Sequence, residues 1–165
     1  MYHNVSKARD EGVNLAFFGG NSVLCVVPML PSSNGTPNRA ARREGWFLPM
    51  PEHWLFDGTG MKKGDSIKGL LGWEWHGAPA MKLPGMNIVA EGDATINGKT
   101  VGRYSSTLYD GPKNNVVFNA ATIWWANGLS SPPGHVNPSQ HGVTHQGPDE
   151  RVQQITHNLF QRFIG

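Results

Sequence analysis

Short apolar runs alternate with turn residues along this chain, and three of the runs predict inner strands of a sheet. Val13–Phe18 and Val116–Ala121 are almost entirely apolar, as strands buried on both faces are. Leu70–His76 begins apolar and then alternates tryptophan with polar residues, which is the period of a strand with two different faces. We expect all three segments to be central strands of one sheet.

Two segments have the spacing of helices. In Asp149–Ile164, apolar residues recur every three or four positions, and Pro148 stands where the first turn begins. This helix is predicted to lie on one face of the sheet. Tyr2–Glu11 predicts a shorter helix that ends at Gly12.

The middle of the chain predicts further strands and a hairpin. Asn87–Ala90, Ala94–Val101 and Tyr104–Tyr109 have strand character, and Asn97-Gly98 is typical of a two-residue hairpin turn. Together the elements predict one α/β domain over residues 1–165. Its sheet is expected to be mixed and mainly parallel, with roughly five to seven strands flanked by helices.

Composition narrows the class of protein. The chain has 165 residues, of which 16% are charged, with 21 glycines, 12 prolines and a formal net charge of +2. The basic residues occur in small groups, so no nucleic-acid partner is expected. The single cysteine, Cys25, lies in an apolar run and is interpreted as an inert core thiol in a reducing compartment. No apolar run has membrane-spanning length, so we expect a cytoplasmic protein without a membrane partner.

The alternation in Leu70–His76 places reactive side chains on one face of the predicted strand. Trp73 and Trp75 share one face, whereas Glu74 and His76 share the other. A carboxylate and an imidazole at this spacing can bind a metal ion or transfer protons, so Glu74 and His76 are the candidate catalytic pair. The alternative is that Glu74 is solvated and that His76 belongs to a loop.

The carboxyl ends of the predicted strands supply the other candidates, because ligands bind at that edge of open α/β sheets. Glycines follow the first strand, and the late strand continues into threonine and tryptophan. We expect a small-molecule pocket at this edge, with walls formed by Gly19, Gly20, Asn21, Glu74, His76, Thr122 and Trp124.

Two further candidates have unfavourable surroundings. Ser22 follows a strand and glycines, but the G-x-S-x-G pattern of a nucleophile elbow lacks its final glycine. His141 and His145 have a spacing that binds zinc on a helix, whereas Gly142 and its neighbours indicate a loop.

Seven blocks of the sequence carry a resemblance to a known family: Ala8–Asn21, His53–Gly60, Lys63–Asp65, Gly69–Glu74, Val117–Trp124, Asn127–Leu129 and Gln154–Leu159. In this order, across nearly the whole chain, they resemble the C-terminal domain of the N,N-dimethylformamidase large (beta) subunit family. The resemblance implies a class I glutamine-amidotransferase-like (flavodoxin-like) fold. It also implies hydrolysis of a small amide to formate and dimethylamine by an iron that two tyrosines and one glutamate hold.

In that resemblance, Glu74 would be the metal ligand, and the tyrosine ligands would precede the helix with which this chain begins. We therefore expect the second half of a larger domain, truncated at its N-terminus and incomplete as an enzyme. The alternative is a non-catalytic α/β protein that binds a small molecule or a partner.

A truncation of this kind would leave Val13–Phe18 as an uncovered apolar edge, and such edges pair readily with another chain. We therefore expect a homodimer or a higher homo-oligomer. The alternative is that the long loop Pro31–Pro51 folds over the edge.

Overall fold

The computed structural model describes residues 2–19, 46–71, 75–77, 79, 83–96, 99–136 and 147–165. Its elements, in chain order, are α1 (Tyr2–Asp10), β1 (Leu15–Phe17), β2 (Trp46–Phe47), a 3₁₀ helix (Trp54–Phe56), β3 (Ser66–Ile67), β4 (Asn87–Ile96), β5 (Lys99–Asp110), β6 (Val116–Asn119), α2 (Trp125–Leu129) and α3 (Glu150–Ile164). None of the helices in these ranges combines the length and the apolar character that crossing a bilayer requires.

Both predicted helices are confirmed, and Gly12 follows α1 as predicted, whereas Pro148 lies before the N-cap of α3 and not in its first turn. Gly12 has a φ of +96°, a conformation that glycine adopts easily, and it follows the last turn of α1. Asp149 is the N-cap of α3, because its side chain accepts a hydrogen bond from the backbone N of Arg151.

The sheet is mixed, as predicted, but its described strands are mainly antiparallel. Six strands are ordered β1-β6-β5-β4-β2-β3, and among them β1 and β6 form the one parallel pair. The prediction of a mainly parallel sheet is therefore wrong. The reason lies in the predicted hairpin: Ile96 pairs with Lys99, and a two-residue connection joins antiparallel strands. This hairpin makes β4 and β5 long, and Tyr104–Tyr109 is part of β5.

The three predicted central strands have different outcomes. Val116–Ala121 is confirmed as an inner strand, which runs to Asn119 and lies between β1 and β5. Val13–Phe18 contains β1, but β1 lies at the edge of the described sheet. The prediction that this segment is a central strand is therefore wrong.

Leu70–His76 is not a continuous strand in its described part. Residues 72–74 lie outside the described residues, and Trp75 forms an isolated bridge to Thr122. The carbonyl of Leu70 accepts a hydrogen bond from the Thr122 hydroxyl at 2.6 Å. This backbone group is thus paired with a side chain.

The core lies between the sheet and α3. Phe118 of β6, Trp125 of α2 and Leu159 of α3 are completely buried. The rings of Phe118 and Trp125 meet at a centroid distance of 5.5 Å, and the indole N–H of Trp125 donates to the Thr156 hydroxyl at 3.0 Å. The apolar stripe predicted for α3 is thus the surface that closes the core.

Alternation along β5 distinguishes two faces of the sheet. Tyr104 and Leu108 lie in the hydrophobic core, on what we call the core face. Ser105 and Thr107 lie on the other face, which we call the polar face. Asn119 pairs with Thr107 and shares that face. All three polar residues are nonetheless buried, so their side chains need partners.

A matched pair of valine substitutions tests the core. Val152 of α3 is fully buried where α2 approaches it at Gly128, whereas Val136 is 82% exposed. We expect Val152→Ala to lower the free energy of unfolding by about 2 kcal/mol, because two buried methyl groups are lost. Val136→Ala should change it by less than about 0.5 kcal/mol. Urea denaturation of both variants measures the difference, and equal effects would contradict this position of α3.

Candidate functional site

The parallel pair of strands ends in a sharp turn that Asn119 holds. Phe17 of β1 pairs with Asn119 of β6, and the N–H of Ala120 donates to the carbonyl of Phe17 at 2.9 Å. Ala121 then has a φ of +58°, in the left-handed region that residues with a side chain seldom adopt. The side-chain oxygen of Asn119 accepts the N–H of Ala121 at 2.9 Å, which stabilises this turn. Such backbone conformations are found often at functional sites.

Residues 75–77 are inserted between this turn and β5. The N–H of His76 donates to the carbonyl of Ala121 at 3.3 Å, and the carbonyl of His76 accepts the N–H of Ser105 at 3.1 Å. Gly77 bridges antiparallel to Tyr104 on the core face. In this register His76 lies directly across from Ser105, so its side chain belongs to the polar face.

Trp75, on the other side of the same segment, requires a glycine beneath it. Its indole lies so close to the backbone of Gly102 that a Cβ added there would overlap the ring. The segment is therefore fixed by backbone hydrogen bonds on both edges and by one aromatic ring on the core face.

Asn119 also determines which nitrogen of His76 carries the proton. The side-chain nitrogen of Asn119 lies 3.4 Å from Nδ1 of His76, and the Asn119 oxygen is already turned toward Ala121. The Asn119 amide therefore donates to Nδ1, and the neutral ring carries its proton on Nε2. Burial lowers the pKa of the His76 imidazole below its ordinary value, which favours this neutral form.

Four side chains, three from β4, β5 and β6 and one from the inserted segment 75–77, form a row across the polar face, and we call them the polar row. Glu91 of β4 pairs with Ser105 of β5, Ser105 lies across from His76, and His76 contacts Asn119 of β6. Sequence reasoning identified His76 and missed the other three. Asn119 had a usable signal, since a single asparagine within an apolar strand must be hydrogen-bonded.

An open groove of about 330 Å³ adjoins the row at Glu91. Charged residues of β4 and β5 line one side of it. Arg103 forms ion pairs with Glu91 at 3.0 Å and with Asp93 at 3.5 Å. The full lining is Leu48, Pro49, Lys63, Gly64, Glu91, Gly92, Asp93 and Arg103.

The structure places four of the seven predicted site residues, and three of these lie together. Trp75 bridges to Thr122, so Thr122 and Trp124 are neighbours of the His76 segment. The buried Thr122 hydroxyl donates to the Leu70 carbonyl and accepts the N–H of Trp124 at 3.1 Å, which is a structural arrangement. Gly19 follows β1 at the same end of the parallel pair.

The remaining predicted residues lie outside the described residues. They are Glu74, Gly20 and Asn21 of the predicted pocket, and Ser22, Cys25, His141 and His145 among the other candidates. The loop Pro31–Pro51 is described from Trp46 onward only.

The described residues do not assemble the tyrosine and carboxylate ligands that iron would need. Within those ranges, no three His, Cys, Asp or Glu side chains form a group that could hold a metal ion. The Tyr104 side chain is fully buried on the core face, away from His76. Tyr109 hydrogen-bonds to Arg9 of α1, and it pairs with Val117 near the amino end of β6. By the alternation of β5, Tyr109 shares the polar face with Ser105 and Thr107, but it lies four residues along the strand from Ser105. Neither tyrosine side chain therefore lies beside His76.

The lowered pKa of His76 gives stability a pH dependence of known sign. Below about pH 6.5 the unfolded chain binds a proton that folded His76 does not bind, so stability falls as the pH is lowered toward the folded pKa. Burial lowers the pKa of His53 as well, and His53 adds to the same effect.

We expect the free energy of unfolding to fall between about pH 7.5 and about pH 5.5, and to fall less in His76→Gln. His157→Gln, at an exposed position of α3, is the matched control and should keep the full decrease. Urea denaturation at the two pH values measures each decrease. A decrease that is the same in His76→Gln and in the unmodified chain would contradict the burial of a neutral His76.

A family model described as N,N-dimethylformamidase beta subunit-like, C-terminal, matches residues 38–141, which is more than half of the chain. The match includes the whole polar row and the segment 75–77. No curated protein and no solved structure matches the chain. The match to the family model confirms the resemblance found in the sequence, and the chain belongs to the N,N-dimethylformamidase beta subunit-like, C-terminal family.

Proposed function

We propose that this domain binds a small amide at the polar row and takes part in its hydrolysis, with the neutral His76 imidazole as donor to the amide carbonyl. The observation that carries the proposal is the contact between Asn119 and His76 at the end of the parallel pair. Membership of the dimethylformamidase-like family supports the choice of an amide as substrate.

The chemistry follows from the tautomer of His76. When a nucleophile attacks an amide carbonyl, negative charge develops on the carbonyl oxygen, and a preorganised N–H lowers the barrier by binding that charge. A neutral imidazole with its proton on Nε2 can act as such a donor. Asn119 keeps Nδ1 as the acceptor and thereby keeps the proton on Nε2.

Glu74 is proposed as the carboxylate of the same site. By family resemblance it would bind iron, which would activate water, or it would transfer protons itself. Tyr104 and Tyr109 do not complete an iron site beside His76.

The second candidate is a non-catalytic domain that binds a small molecule at the same residues. The positions of Tyr104 and Tyr109, away from His76, favour this candidate. Both candidates need the polar row, and turnover distinguishes them.

For the fold, we propose that β1, β6 and α3 correspond to the part of the domain that resembles a class I glutamine-amidotransferase-like fold. The parallel pairing of β1 with β6 supports this correspondence. The β4–β5 hairpin would then be an antiparallel extension of that sheet.

Asn119→Asp tests the proposed role of His76. An aspartate carboxylate beside Nδ1 can only accept a hydrogen bond, so it would raise the pKa of His76 and would favour the neutral ring with its proton on Nδ1 and none on Nε2. With N,N-dimethylformamide as substrate at about pH 8, we expect kcat/KM for formate release to fall by about 10²–10³-fold. Asn114→Asp, in an exposed turn, is the control and should keep the unmodified rate.

Metal analysis and a Glu74→Ala variant belong to the same experiment. Iron that is present in the unmodified chain and lost in Glu74→Ala would support Glu74 as a ligand. No hydrolysis of any small amide, N,N-dimethylformamide included, would reject the hydrolase and leave the binding domain. Equal rates in Asn119→Asp and the unmodified chain would reject His76 as the donor.

We also propose that the chain forms a homodimer through the β1 edge. Apolar side chains are exposed around that edge: Val13 is 48% exposed, Phe160 is 47% exposed beside Phe18, and Ile164 is 79% exposed. Asn14 bonds to the carbonyl of Phe163, which places the end of α3 next to β1. A second copy could pair with the strand and cover these side chains.

Light scattering with and without Phe160→Glu tests the dimer. At micromolar concentration we expect twice the chain mass for the unmodified protein and a single chain mass for Phe160→Glu, because a carboxylate would be buried at the interface. Val136→Glu, at an exposed position of the loop, should stay dimeric. A monomeric mass for the unmodified chain would reject the proposal, and circular dichroism checks that the variants are folded.

A further inference from the structure

The hydroxyl of Ser105 is buried without a hydrogen-bond partner in the described part of the chain. Ser105 is 2% exposed, and its Oγ contacts no donor or acceptor there, although its backbone N–H bonds to His76. Buried hydroxyls in folded proteins nearly always have a partner, because an unpaired one destabilises the folded state. A group kept in this condition within a candidate site is therefore a sign of a ligand contact.

Ser105 occupies the centre of the polar row. Its neighbours on the polar face include Glu91, its partner in β4, His76, across on the inserted segment, and Thr107, two residues along β5. A ligand that reaches Ser105 therefore also reaches the imidazole of His76.

The open groove gives access from the side of β4. Glu91, the partner of Ser105 in β4, and Arg103, two residues before Ser105 in β5, both line the groove and share the polar face with Ser105. Their side chains are 33% and 54% exposed, so they can shift when a ligand enters. With Lys63 and Asp93 the groove carries two positive and two negative charges, which suits a small neutral polar molecule better than an ion.

We infer that Ser105 is a binding residue, whose hydroxyl hydrogen-bonds the amide group of a small neutral substrate that enters from this groove. A hydroxyl both donates and accepts, so it can bond either to the carbonyl oxygen or to an amide N–H. The inference rests on the proposed function for the class of ligand. It adds a contact that neither the family match nor the sequence assigns.

Ser106 offers a matched control in the adjacent position. It is equally buried, but it lies on the core face, and its Oγ donates to the carbonyl of Ala120 at 2.6 Å. Removal of the Ser106 hydroxyl leaves a buried carbonyl without this bond, whereas removal of the Ser105 hydroxyl breaks no bond within the described chain. The two alanine variants should therefore have opposite effects on folding and on binding.

An NMR titration with acetamide, together with thermal melting, tests the inference. We expect saturable shifts of the amide resonances of residues 76, 77 and 105 in the unmodified chain. Ser105→Ala should weaken acetamide binding by about tenfold and should leave the melting temperature unchanged or raised. Ser106→Ala should lower the melting temperature and leave the Kd for acetamide within about twofold of the unmodified value.

Three results would overturn the inference: no saturable shifts in the unmodified chain, equal Kd values in Ser105→Ala and the unmodified chain, or a lower melting temperature in Ser105→Ala. The last result would show that the hydroxyl supports the fold itself. Acetamide that binds through Ser105 without formate release from N,N-dimethylformamide would reject hydrolysis and keep this contact. Formate release that Ser105→Ala leaves unchanged in KM would keep hydrolysis and reject the contact.

Discussion

The buried side-chain amide of Asn119 is the group on which the geometry of the candidate site depends. An amide within an apolar strand must be paired, since a buried polar group without a partner is costly. Asn119 meets this requirement with the N–H of Ala121 and with the ring of His76. The same two contacts stabilise the left-handed turn and orient the imidazole. The side chain of Asn119 thus determines both how β6 ends and which nitrogen of His76 carries the proton.

The site lies where the parallel and antiparallel parts of the sheet meet. β6 ends at Asn119, while β5 extends beyond it toward Lys99 and leaves part of its edge unpaired by β6. Residues 75–77 supply the missing hydrogen bonds to that edge. Because this segment pairs with the edge of β5, His76 lies within the sheet. This explains why His76 is half-buried beside strand residues although it belongs to no named strand.

The parts of the fold that depend on local chemistry could be predicted from the sequence. The apolar stripe of α3 and the hairpin signal between Ile96 and Lys99 each act over a few residues; the stripe is confirmed, and so is the antiparallel pairing of Ile96 with Lys99. The direction of the strands could not be predicted in the same way, because it depends on which distant segments pair. His76 was recognisable by its chemistry and its neighbours. Ser105 was not, since Ser105 and Ser106 are identical in type and differ only in the face of the sheet on which they lie.

The contact of Trp75 with Gly102 makes two distant positions of the sequence interdependent. Any side chain at position 102 would displace the indole, and a smaller residue at position 75 would leave a gap above the glycine. Segment 75–77 and strand β5 can therefore be redesigned or exchanged between proteins only as a unit. A different loop at residues 75–77 would change which residues are tolerated in β5, about 25 positions later. The unit that could be transferred to another protein is therefore discontinuous in sequence.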